Sequence, residues 1–145
     1  MPYDTNPENY IAGGMVPAGQ GRIYPEKDPN GIAAKSPGAK LDAGKSPVMQ
    51  GALHYFPRAI TAVANLSAKG AEKYSWKGWE KVDNGINRYG DALGRHMVKE
   101  QIEGLFDKDF PDNSVLHATG VAWNALARLE LLLRDEQKTT GVFGG

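Results

Sequence analysis

No cysteine occurs anywhere in the 145 residues. That removes disulfide scaffolds, thiolate metal sites and cysteine nucleophiles at once, and leaves any metal to His, Asp, Glu or carbonyl oxygen. Net charge is lacking too, since 17 Lys and Arg stand against 17 Asp and Glu. A general nucleic-acid binder carries a basic excess, so no stable nucleic-acid binding is expected. Long apolar runs are missing, with no stretch near the roughly 18–20 residues of a membrane-spanning helix. Met1 to Tyr10 carries Asp4 and Glu8 and no basic start before an apolar stretch, which is unlike a secretory signal. The expectation is a cytoplasmic protein with no membrane partner and one domain of ordinary size.

Gly and Pro are plentiful, 18 and 9, but unevenly placed. Residues 1–45 hold 13 of them, in runs such as Pro17-Ala18-Gly19-Gln20-Gly21 and Pro37-Gly38-Ala39-Lys40. Each Pro removes a backbone donor and each Gly raises the entropy cost of ordering. Residues 1–39 therefore read as an extended or disordered arm, free or draped over a partner subunit. An all-α domain is expected over 40–137, and a flexible tail over 138–145.

Helical periodicity begins at Pro57, a residue favoured in the first helical position. It runs to about Tyr74, with Ile60, Val63, Ala64 and Ala71 on one side. A second helix is predicted after Asp83 or Asn84, where Ile86, Tyr89, Leu93, His96 and Met97 form one stripe. A third is predicted from Asn113 or Ser114 to about Glu136, with Leu116, Trp123, Leu126 and Leu133 as its apolar face. No convincing strand is seen. Three or four helices enclose little core, so the predicted fold is a small all-α bundle completed by homo-oligomerisation, as a homodimer or homotetramer.

Polar groups exceed what packing needs. Arg88, Asp91 and Arg95 form one ridge, readable as a solvated ion-pair face. His96, Glu100 and Glu103 lie at i, i+4 and i+7, spacing that aims an imidazole and carboxylates along one side. Asp107, Asp109 and Asp112 extend that side, and hard oxygen donors suit Mg²⁺ or Mn²⁺. Asp112 is also a reasonable cap for the third helix. On that helix His117, Gly120, Val121, Asn124 and Arg128 share a face, and Gly120 leaves room for another helix or a ligand to approach. Trp76 and Trp79 offer planes for a base, or lock a corner. Carboxylates, cations, aromatic planes and an amide together are what a nucleoside triphosphate requires.

Four ordered segments carry a resemblance: Lys40-Leu41-Asp42-Ala43-Gly44-Lys45, then Gly70-Ala71-Glu72-Lys73-Tyr74 with Trp79, then Asp91-Ala92-Leu93-Gly94-Arg95-His96, and His117 with Asn124-Ala125-Leu126. From Gly38 to about Arg134 the chain resembles the phage and bacterial dATP/dGTP diphosphohydrolases, relatives of the MazG-like all-α nucleotide pyrophosphohydrolases. The resemblance implies a Mg²⁺-dependent (or Mn²⁺-dependent) hydrolysis of a purine deoxynucleoside triphosphate to monophosphate and pyrophosphate, and a phage-encoded protein of the host cytoplasm. It implies Asp91, His96 and His117 as catalytic residues and Asp91, Glu103, Asp107 and Asp112 as metal ligands. Lys40, Lys45, Lys73 and Arg95 would meet phosphates, and Trp79 and Asn124 the base. The chain departs from the pattern at Glu103-Gly104, where the family has the reverse order. It departs again at Gly120, where the family carries a second histidine, and at Gly78, which stands in place of Asn. The other reading is a protein of the same fold that sequesters a nucleotide without turnover.

Overall fold

The computed structural model describes Tyr10–Ile11, Gly14–Met15 and residues 27–144, with side-chain surroundings described for 27–135. Most of the arm expected over 1–39 lies outside the described residues, as do the side chains of the expected tail. Tyr10–Ile11 (β1) pairs antiparallel with Gly14–Met15 (β2), a ladder too short to leave a period in the sequence. The other regular elements are helical: α1 is Pro57–Lys73, α2 Gly85–Glu103 and α3 His117–Gly144, joined by turns and single short helical turns. The fold is all-α, as the periodicity predicts. Two compact units divide the chain, residues 1–52 with 136–145, and Leu53–Asp135.

In the first unit the organising residue is Asp28, only 6% exposed. Its carboxylate accepts hydrogen bonds from the amides of Lys40 (2.8 Å), Asn30 (2.7 Å) and Ile32 (3.4 Å). The Lys40 amide does most to hold the carboxyl below its ordinary range; burial opposes this, and the Asn30 and Ile32 amides add to it. A lowered folded pKa means that this support is present above the unfolded value and is lost as pH falls through the folded one. Amide exchange at Asn30 and Lys40 should therefore accelerate on acidification below the ordinary carboxylate range. In Asp28→Ala it should be fast at every pH; slow exchange in that variant would contradict the role.

In the second unit α1 opens as expected at Pro57, with no side-chain cap. The α2 start after Asn84 also matches, but by a different device. Asn84 adopts a left-handed conformation (φ 53°) and its side chain accepts from Asn87 Nδ2 instead of capping the helix. The third helix begins later than predicted. Asp112 and Asn113 have positive φ (59° and 51°), which keeps Pro111–Asn113 to a single 3-10 turn and stops an α-helix from starting there, so Asp112 is not the cap of α3. Phe106 then bridges Leu116, with the Asp107 amide donating to Val115 O and the His117 amide to Leu105 O, both 2.9 Å. That extended pairing holds the chain until His117. At the other end α3 passes Glu136, since residues 137–144 contain no proline to stop it.

An aromatic cluster joins the helices. The Trp123 ring of α3 meets Tyr89 of α2 edge-on at 5.7 Å and Trp79 at 6.2 Å, and its Nε1 donates to Ser67 Oγ of α1 at 2.8 Å. Tyr89 OH donates to Trp79 O at 2.7 Å. Gly85 is buried because a Cβ there would lie 2.9 Å from Leu131 Cδ1. Beyond this the core is thin. Among the described residues Val115 and Ala127 are the buried hydrophobics, while Val98, Ile102, Leu105, Leu126, Leu129 and Leu132 are exposed. Leu116 and Leu126 of the predicted α3 face are open, as are Ala64 and Met97, because a few helices cannot enclose every apolar residue they carry.

Candidate functional site

The chemistry-bearing side chains of the second unit converge where α3 starts. His96 and Glu103 lie seven residues apart on α2, two turns along one face. The imidazole of His117, the first residue of α3, spans the gap between them. Its Nδ1 lies 3.2 Å from His96 Nδ1 and its Nε2 2.6 Å from Glu103 Oε1. His117 is fully buried. Asp107 completes the group at 2% exposure, with Oδ2 3.8 Å from His96 Nδ1. It is fixed by its own turn, Oδ1 accepting from the Asp109 amide at 3.0 Å.

Partner chemistry sets the proton positions. A carboxylate only accepts, so His117 Nε2 carries the hydrogen of that bond, and Nδ1 is the atom turned to His96. His96 is held below the ordinary imidazole pKa, chiefly by burial; the Asp107 carboxylate opposes this, and His117, Lys99 and Arg95 add to it. One ligand atom each from His96, Asp107 and His117 lie within 4.8 Å of one another. Two imidazole nitrogens 3.2 Å apart have about the separation of two ligands on one cation roughly 2.1 Å from each. Behind the pair, the bond from Glu103 to the far nitrogen of His117 is the device that fixes a metal-binding histidine's tautomer. These donors, two imidazole nitrogens and one carboxylate oxygen, fit a divalent cation.

The structure brings together His96, His117, Asp107 and Glu103 from the residues singled out in the sequence. Glu103 reaches the group through His117 and not as one of its three ligand atoms. Asp91 is exposed and stays outside: five residues before His96, it lies roughly 140° around the helix. Asp112 is exposed as well, turned by its positive φ. Lys73 and Arg95 are exposed, and Lys73 Nζ lies 5.2 Å from the Tyr74 ring centroid. In the first unit Lys40 Nζ lies 3.9 Å from Asp42 Oδ2, and the Lys45 amide donates to Asp42 O at 3.1 Å. Trp79 is enclosed by Tyr89 and Trp123, with the Arg134 guanidinium 5.5 Å from its ring, so it locks a corner. Asn124 is buried and its Nδ2 donates to Gly120 O at 2.7 Å. At the rim Lys99 pairs with Asp109 at 3.2 Å. No group of the cluster is new to the sequence reading. What spacing could not show is the pairing of His96 with His117, 21 residues away.

Among the described residues no helix is long and apolar enough to cross a membrane. No curated protein and no solved structure matches the chain. A family model does: that of the dATP/dGTP diphosphohydrolase N-terminal domain matches residues 35–140. The match covers well over half of the chain and contains α1, α2 and the whole histidine–carboxylate cluster; the chain belongs to the dATP/dGTP diphosphohydrolase family.

Proposed function

We propose that the chain hydrolyses a purine deoxynucleoside triphosphate to the monophosphate and pyrophosphate, with a divalent cation held by His96, Asp107 and His117. The observation that carries this reading is the convergence of their ligand atoms within 4.8 Å in a family of diphosphohydrolases. When bound, the cation neutralises polyphosphate charge and lowers the pKa of a water molecule. Glu103 holds the His117 tautomer, and Asp107 supplies the negative charge. Lys73 and Arg95, exposed on α1 and α2, offer cations to the phosphates. A pyrophosphate-release screen of the common nucleotides, with Mn²⁺, with Mg²⁺ and with EDTA, should show release for dATP or dGTP that requires metal. Tight binding in EDTA without release would instead establish sequestration.

The active form is a homo-oligomer. Val98, Ile102 and Leu105 at the end of α2 and Leu126, Leu129 and Leu132 on α3 expose apolar surface that a second copy would cover. Sedimentation equilibrium should give a multiple of 15.7 kDa. Ile102→Asp should shift the mass downward; a wild-type monomer at micromolar concentration would refute the assembly.

A further inference from the structure

Gly120 is buried on the first turns of α3, and the reason is the His96 ring. A Cβ built at Gly120 would lie 2.7 Å from His96 Nε2 and 2.8 Å from both Cδ2 and Cε1. Side-chain carbons do not approach a ring that closely, so any residue other than glycine must displace the imidazole. The Nε2 edge of His96 rests against α3, which leaves Nδ1 as the nitrogen facing His117 Nδ1 (3.2 Å) and Asp107 Oδ2 (3.8 Å). The turn is anchored as well, since the buried Asn124 amide grips the Gly120 carbonyl at 2.7 Å.

We infer that Gly120 is a positioning residue: its missing side chain seats the His96 imidazole against α3 and so determines that Nδ1, not Nε2, joins His117 and Asp107. Gly120 touches no ligand in this role; it acts through His96. The consequence for cation affinity rests on the reading given above, whereas the seat itself is a property of the metal-free protein.

The test compares Gly120→Ala with Gly94→Ala, whose added Cβ would meet nothing within 4 Å. In metal-free protein, long-range ¹H–¹⁵N spectra of the histidine rings should show altered His96 nitrogens in Gly120→Ala and unchanged ones in Gly94→Ala. Mn²⁺ affinity by calorimetry should fall about 10–100-fold in Gly120→Ala and stay level in Gly94→Ala. Helix propensity alone would raise Tm in both variants. The clash should instead lower Tm in Gly120→Ala, and removing the ring with His96→Ala should abolish that decrease in the double variant. Unchanged His96 nitrogens in Gly120→Ala, or an equal Tm loss with and without the ring, would overturn the inference. No Mn²⁺ binding by the wild-type protein, with the ring effects still present in Gly120→Ala, would overturn the cation site alone and uphold the seat.

Discussion

Replacing Asp107 by Asn should all but abolish pyrophosphate release while leaving the helical CD spectrum and Tm close to wild type. The substitution keeps the shape of the side chain and the oxygen that accepts the Asp109 amide at 3.0 Å. It removes the charge 3.8 Å from His96 Nδ1, where a cation between the two histidines would draw on it. Losing a group behind a metal ligand costs roughly 10–100-fold, so losing a ligand should cost at least that much. Glu103→Gln should fall within the smaller range. Its oxygen still accepts from His117 Nε2, but without the charge that makes the imidazole a stronger donor to metal. Equal activity in Asp107→Asn and wild type would remove Asp107 from the chemistry.

The largest effect on stability should come from Trp123. It is bonded or ring-packed to α1, to α2 and to Trp79, through Ser67 Oγ (2.8 Å) and the Tyr89 and Trp79 rings (5.7 and 6.2 Å). With so few hydrophobics fully buried, this cluster does much of what a core does elsewhere. Trp123→Ala should cost about 3–5 kcal/mol and lower Tm by roughly 10 °C or more. Trp123→Phe keeps a ring but loses the bond to Ser67 and part of the packed indole, for about 1–2 kcal/mol. Thermal melts followed by CD distinguish the two. A loss below about 1 kcal/mol in Trp123→Ala would mean that the helices are held chiefly by something else.

The helices were legible because their signals are local: Pro57 at a first position, and a stripe from Ile86 to Met97. The start of α3 was not, because it depends on the bridge of Phe106 to Leu116 and on two left-handed residues, neither of which has a short-range pattern. The site shows the same division. The spacing of His96 and Glu103 placed them on one face, and the structure keeps them there. That the fully buried His117 should join them follows only from how α3 is docked. Asp91 shows the reverse case: it sits in a recognisable box beside His96, yet helical rotation turns it from the cluster. Gly120 invited the expectation of a close approach by a helix or ligand, and the group that approaches is the ring of His96.

Anomalous diffraction from crystals grown with Mn²⁺ and a non-hydrolysable dATP analogue tests the central claim most directly. A manganese peak bounded by His96 Nδ1, His117 Nδ1 and Asp107 Oδ2, with the phosphates reaching it, is the expected result. A peak on Asp91 or Asp112, with none between His96 and His117, would contradict it.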